Sequence, residues 1–340
     1  MGTISIVGAK DVGMGIAARL DNFQRRHTWL GFPVAVVYKF IDDQGGYLAV
    51  LITYYGFASL FPLLLLLVSV LGFTLENDPA LQQALLGSAL QQFPIIGPQL
   101  QQNISSIHGS TLGVILGIIG AVYGGLGVSV AIQTALNRVW AVTRYARPDP
   151  VVSRLRGLVL FVLLGTVILI TTALSALGPL AAGFGYGIGT GLRVAAAIVA
   201  VAANVAVFLI AFRVLTAREV RLADLIPGAV SAAIAVQVLQ TVGTFLARRG
   251  LNGVSQLYGV FGLVLGLLAW LYLLAMILVL CAEINAVRAR RLWPRNLLTP
   301  FIDNVVLTPA DQASYRSYAN TERYKPFARV RTTFDRPDPK

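Results

Sequence analysis

Charged and metal-binding side chains are scarce in this 340-residue chain. Only 12% of the residues are charged, whereas soluble domains carry about 25%. Cys281 is the single cysteine, so neither an intrachain disulfide nor a cysteine metal cluster can form. The two histidines, His27 and His108, fall on opposite sides of a membrane in the topology predicted below, which excludes a shared metal. The sequence also lacks an acidic cluster and a nucleotide-binding motif, and we therefore predict no enzyme activity, no metal and no cofactor.

Apolar residues are abundant instead: 56% of the chain is hydrophobic and its mean hydropathy is +0.72. Crossing about 30 Å of hydrocarbon takes roughly 20 apolar residues in a helix. Six uncharged runs reach or approach that length, namely Tyr47–Phe73, Thr111–Asn137, Gly157–Gly178, Val194–Phe212, Leu225–Ala247 and Gly259–Ala282. The predicted fold class is therefore all-α, a polytopic integral membrane protein with six transmembrane helices.

Three regions follow from this pattern: an N-terminal segment (1–45), a six-helix membrane domain (46–292) and a basic C-terminal tail (293–340). Within the first, Thr28–Phe40 is apolar but too short to span, which predicts an interfacial helix along the inner leaflet. A short helix buried against the bundle is an equal alternative. Pro at an N1 position favours helix starts after Asp78 in the 74–110 loop and after Thr308 in the tail.

The positions of the basic residues predict the orientation. With six spans, 24 of the 27 Lys and Arg residues fall on one side of the membrane. The positive-inside rule places that side, with both termini, in the cytoplasm. Topology and attraction to anionic lipid then account for the net charge of +12, so we expect membrane lipids rather than nucleic acid as partners. The sequence leaves open whether the chain forms homo-oligomers or binds envelope-assembly partners.

Polar side chains within the runs recur at helical spacing and are candidates for a polar pathway. In the second run every fourth residue is small or polar, a row that shares one helix face. It forms either a packing seam with a few interhelical hydrogen bonds or a polar cavity open to the inner side. The row comprises Gly113, Gly117, Ala121, Gly125, Ser129, Gln133 and Asn137. The other runs contribute Tyr55, Ser59, Pro62, Asn204, Gln237, Gln240, Thr241 and Thr244.

Glu283 lies near the end of the last run and is the one acid close to hydrocarbon. An intramembrane carboxylate is a functional candidate by default. The alternative interpretations are a salt bridge to Arg138 or Arg213, or snorkelling to the interface.

Four segments in order resemble the YihY/BrkB family of bacterial inner-membrane proteins. They are YYGFASLFPLLLLLVSVLGF at 54–73, AIQTALNRVWAV at 131–142, LIPGAVSAA at 225–233 and YGVFGLVLGLLAWLYLLAMILVLCAEINA at 258–286. The resemblance covers roughly residues 29–293. It implies six spans with cytoplasmic ends in the bacterial cytoplasmic membrane. The residues that match family positions are Ser59, Pro62, Asn137, Trp270, Glu283 and Asn285.

Members of this family have carried a ribonuclease label, which the residues here argue against. Others are associated with envelope integrity, virulence or lipid export. The resemblance thus favours a transporter or flippase-like protein for an amphiphilic envelope component, without its own ATPase. The alternative is a structural or assembly protein whose helices pack and whose basic face recruits anionic lipid.

Overall fold

The computed structural model describes residues 19, 21–74, 111–160, 190–248, 252–299 and 305–335. These residues form helices and connecting loops, with no strand among them. The helices are α1 (Thr28–Asp42), α2 (Gly45–Thr74), α3 (Thr111–Val139), α4 (Thr190–Leu215), α5 (Leu222–Arg248), α6 (Asn252–Arg290) and α7 (Pro309–Thr321). Residues 21–26 and 150–160 are also helical. The predicted all-α class is confirmed for this part of the chain.

Among the described residues, three helices are long and apolar enough to cross a membrane: Val114–Val139, Leu222–Phe245 and Val264–Arg290. Two shorter apolar stretches, Gly45–Leu60 and Val201–Leu215, lie within α2 and α4. Most of the predicted span Gly157–Gly178 and the predicted helix after Asp78 lie outside the described residues. Six spans and cytoplasmic termini stay predictions.

Several helices run past the uncharged runs that predicted them. The last predicted span covers Gly259–Ala282, whereas α6 covers Asn252–Arg290. Backbone i to i−4 hydrogen bonding does not stop where the first charged side chain appears, so hydropathy marks the apolar part of a helix rather than its ends.

A cluster of buried apolar residues lies where α3, α4, α5 and α6 come together. Its fully buried side chains include Leu136, Phe212, Leu215, Leu225 and Val279. These side chains lie on the faces through which the helices contact one another. Their burial holds the ends of α3 and α6 next to the short connection between α4 and α5.

Helix α1 packs one face against the end of α6. Ala35 and Val36 are buried with Val287 and Leu292, whereas Val37 and Ile41 on the opposite side are exposed. The described contacts match the alternative of a short helix packed against the bundle. They leave its other face free for a lipid interface, so the interfacial prediction stands untested.

Helices α3 and α6 each end with a residue in the left-handed region and the same cap. Ala141 (φ 49°) follows α3 and Arg291 (φ 52°) follows α6. In each case the next amide bonds back to the carbonyl five residues earlier: Val142 N–H to Asn137 O at 2.8 Å, and Leu292 N–H to Val287 O at 3.1 Å. Both are Schellman caps, which turn the chain sharply after the apolar helix.

Candidate functional site

Helices α2 and α3 meet along a glycine seam. A Cβ added at Gly124 would lie 2.6 Å from the Cα and Cβ of Ser59, and one at Gly120 would lie 2.6 Å from Pro62 Cβ. Gly127 lies in the same way against Tyr55. The missing side chains thus let the two backbones approach closely.

The small-residue row predicted as a packing seam on α3 is not the row that contacts α2. The row through Gly117 and Gly125 is buried, but the glycines that meet α2 are Gly120, Gly124 and Gly127. Ser59 is buried and donates to Gly56 O at 2.9 Å within its own helix. The polar face predicted on α2 is therefore a helix-packing face in the described structure.

Gln133 and Asn137 tie the end of α3 to neighbouring segments. Gln133 Nε2 donates to Ser129 Oγ at 3.1 Å and to Ser153 O at 2.8 Å. Asn137 Oδ1 accepts from Ala217 N–H at 2.9 Å, in the connection between α4 and α5. Both side chains are buried, and each thus satisfies a backbone group of another segment.

Asn285 makes the corresponding contact between α5 and α6. Its Oδ1 accepts from Gly228 N–H at 2.6 Å, and a side chain at Gly228 would collide with Cys281 O and Asn285 itself. Pro227, which precedes this glycine, disturbs regular hydrogen bonding in the first turns of α5. Asn285 and Gly228 therefore form a close helix crossing held by one buried hydrogen bond.

The remaining predicted pathway residues lie apart from this packing. Asn204 and Gln237 are exposed and Gln240 is half-buried. The hydroxyls of Thr241 and Thr244 donate back to Gln237 O and Gln240 O within α5, both at 2.8 Å. The described residues thus do not bring the predicted set around one lumen.

Glu283 belongs to a buried charge cluster, defined as Lys39, Asp43 and Glu283. Their side chains are at most 1% exposed. Lys39 donates to Asp43, which directly follows α1, and its Nζ lies 3.1 Å from Glu283 Oε2. That second contact lacks hydrogen-bond geometry, and neither oxygen of Glu283 accepts a hydrogen bond from the described residues. One ammonium is therefore shared between two carboxylates.

The predicted partners of Glu283 were wrong. Arg138 Nε lies 3.7 Å from Asp43 Oδ1 instead, and Arg213 donates to Val220 O in its own connection. The partner is Lys39, because α1 packs along the end of α6 and brings its lysine to the carboxylate. The sequence signal for the cluster is the i, i+4 spacing of Lys39 and Asp43 beside an apolar segment.

The C-terminal tail covers this cluster through a tail anchor, defined as Arg295, Asp42 and Asp311. Arg295 is 1% exposed and donates to Asp42 Oδ2 at 2.7 Å and to Asp311 Oδ1 at 2.8 Å. Asp311 also completes a capping box with Thr308, which confirms the predicted helix start. The anchor thereby links α1, the chain after α6, and α7.

Tyr318 lies between the tail anchor and the charge cluster. Its hydroxyl is 3.3 Å from Asp42 Oδ2, and the Lys39 ammonium lies 5.9 Å from its ring centre. Burial, with the negative charges of Asp43 and Asp42, raises the pKa of Tyr318 above its usual value. The phenol is thus held protonated as a hydrogen-bond donor. Glu322, one turn later, is exposed and pairs with Arg144 at 2.8 Å.

A groove of about 600 Å³ opens on the outer face of α3. Apolar side chains of α3 form its floor, Tyr55 borders it on the α2 side, and Arg154 of helix 150–160 is the cation in its lining. Of the predicted pathway residues, only Tyr55 lines it. Within the described ranges, no group of three His, Cys, Asp or Glu side chains is placed to hold a metal ion.

Long apolar helices with exposed apolar faces, packed through small residues and joined by buried charges at one end, define a helical membrane protein. The chain belongs to the family described as Virulence factor BrkB, which matches residues 36–300. The resemblance found in the sequence is thereby confirmed. Comparisons with curated proteins and with solved structures gave no match.

Proposed function

We propose that this BrkB-family protein is a multi-pass protein of the bacterial cytoplasmic membrane that transports or flips an amphiphilic envelope component. The substrate class is a lipid or a lipid-linked sugar. In this proposal six helices span the bilayer, both termini are cytoplasmic and the protein has neither enzyme activity nor an ATPase of its own. The energy comes from a gradient, from a partner or from the substrate's own distribution.

The buried charge cluster is the observation that carries this proposal. Removing a charge from water costs several kcal/mol, and well-packed apolar side chains are often the more stable replacement for a buried ion pair. A helix bundle that served only as a scaffold has no need of Lys39, Asp43 and Glu283 with exposures of 1% or less. An ionisable group kept at such a cost in a candidate membrane-spanning helix, as Glu283 is in α6, commonly marks a transport or proton pathway.

In this proposal the same cluster would also act as a switching element. Glu283 on α6 is attracted to Lys39 on α1 without a hydrogen bond, whereas Asp43 holds Lys39 from within the same segment. Neutralising Glu283 with a proton would leave a balanced Lys39–Asp43 pair and weaken the link between α1 and α6. Separation of these two helix ends would open the bundle on the predicted cytoplasmic side.

A second function, a structural or assembly role, is favoured by the packed polar residues. Ser59, Gln133 and Asn137 are all buried and hydrogen-bonded, as in a static bundle. In that case the basic face would recruit anionic lipid or envelope-assembly partners, and no substrate would move.

Reconstituted vesicles separate the two functions. The purified chain is placed in liposomes that contain a fluorescent phospholipid or a labelled lipid-linked sugar, and transfer between leaflets is followed by quenching from outside. We expect transfer above protein-free vesicles for one of the two, reduced at least tenfold by Glu283→Gln. The control is Glu219→Gln, an exposed carboxylate in the connection between α4 and α5, which is expected to transfer normally. Transfer by neither substrate class would leave the structural role as the function.

A further inference from the structure

The groove on α3 has the shape of a site for a single hydrocarbon chain. Its floor runs from Ile118 to Val130, which at 1.5 Å per residue is about 18 Å of helix. Val122 and Tyr123 lie between these ends, and Tyr123 is 80% exposed. Tyr55 borders the α2 side where Gly127 allows it to approach. The result is an open apolar groove along the exposed face of α3.

Arg154 supplies a positive charge to this groove. The residue is exposed, and the described residues provide it with neither an ion-pair partner nor a hydrogen bond. The backbone around it is nevertheless held against α3, because Gln133 donates to the carbonyl of the preceding Ser153 and Gly157 packs against Ser129. The basic residues around it put this helix on the predicted cytoplasmic side.

We propose that the groove binds one anionic phospholipid of the inner leaflet, with its phosphate on Arg154 and one acyl chain along α3. A guanidinium matches a phosphate through two parallel N–H···O bonds, and an unneutralised cation favours a lipid with a net negative charge. This inference rests on the proposed function, for which it names the substrate class and the side of entry.

A second copy of the chain fits the groove less well than a lipid. Val151, Val152 and Leu155 surround Arg154 and are exposed apolar residues, so the same face of another copy offers no carboxylate from these positions. A two-fold contact through this face would set one Arg154 towards the other and bury both without compensation.

Lipid retention by the full chain tests the site. The protein is purified from nanodiscs of equal phosphatidylglycerol and phosphatidylcholine, and the bound lipid is measured by native mass spectrometry. We expect one retained phosphatidylglycerol per chain. Arg154→Gln should lower retention about tenfold, since a charge-assisted hydrogen bond is lost, and Arg154→Lys should restore part of it. Arg221→Gln removes an exposed cation away from the groove and should retain lipid as the unmodified chain does.

Filling the groove tests the acyl-chain part. Val122→Trp should abolish retention, whereas Ile234→Trp, which adds the same ring to the exposed face of α5, should not. A photo-crosslinker at Tyr123 should label lipid. Equal retention by Arg154→Gln and the unmodified chain, or a crosslink at Tyr123 mainly to a second chain, would overturn the proposal. Retention without leaflet transfer would leave this site standing and remove only the proposed function.

Discussion

Replacing Lys39 with methionine removes the ammonium that lies against both Asp43 and Glu283 while keeping a side chain of similar length. Two carboxylates of at most 1% exposure then face each other, with Arg138 as the nearest described cation, 3.7 Å from Asp43. Breaking a buried ion pair costs about 3–5 kcal/mol, and we expect Lys39→Met to lower the free energy of unfolding by that amount.

The second carboxylate makes this a prediction about charge balance and not only about a lost contact. Glu283→Gln leaves Lys39 and Asp43 as a one-to-one pair and should change stability by less than about 1 kcal/mol. In the double variant Lys39→Met/Glu283→Gln, Asp43 still lies near Arg138 and no longer faces a second carboxylate. Part of the free energy of unfolding lost in Lys39→Met should therefore be recovered. The coupling between the two sites should then fall within the 0.5–3 kcal/mol typical of residues in contact.

Unfolding in mixed micelles, followed by tryptophan fluorescence, measures these differences. Arg221→Met, at an exposed position, is the matched control and should stay within about 0.5 kcal/mol of the unmodified chain. The reasoning is refuted if Glu283→Gln costs as much as Lys39→Met, or if the effects of the two substitutions simply add.

Three further predictions concern packing, tethering and the tail. Gly124→Ala should destabilise the chain by about 1–3 kcal/mol because its Cβ would collide with the α2 backbone, whereas Gly56→Ala, with no atom within 4 Å, should be neutral or stabilising; thermal unfolding measures both. Asn137→Leu should cost about 1–3 kcal/mol by leaving a backbone donor unsatisfied, and Asn204→Leu, at an exposed position, should cost little in the same assay. Arg295→Met should release the tail, seen as faster cleavage after residue 305 in limited proteolysis while the membrane helices stay intact.

Each of these has an outcome that contradicts it. Equal melting temperatures for the Gly124 and Gly56 variants would mean that α2 and α3 do not approach along this seam. If Asn204→Leu costs as much stability as Asn137→Leu, the hydrogen bond between Ala217 N–H and Asn137 does not explain the loss. Unchanged proteolysis of Arg295→Met would show that the tail is held by other contacts.

The sequence predicted the helices well and their mutual contacts poorly. The run Thr111–Asn137 became Thr111–Val139 and Leu225–Ala247 became Leu222–Arg248, since both follow from local hydropathy and helix geometry. The small-residue row on α3 was predicted without a partner helix, and the glycines that contact α2 are Gly120, Gly124 and Gly127 instead. Helix periodicity shows that small residues share a face, but it does not show which neighbour that face meets.

The charge cluster was beyond this kind of reasoning. Lys39 and Glu283 are far apart in the chain, and their contact depends on how α1 packs across the end of α6. The sequence correctly singled out Glu283 as unusual, but it offered Arg138 and Arg213 as partners because both lie at the same predicted end of the membrane. Which of the cations at that end pairs with Glu283 depends on how α1 packs. The sequence of α1 does not indicate the direction in which it packs.

The tail anchor has a consequence for the order in which the protein is made. Asp42 emerges early in synthesis, whereas its partner Arg295 follows 253 residues later, after the last long helix. Throughout membrane insertion Asp42 therefore lacks the counter-ion that only the nearly finished polypeptide provides. A truncated chain would keep this carboxylate uncompensated at the end of α1, so premature termination would leave the product open to quality-control proteases.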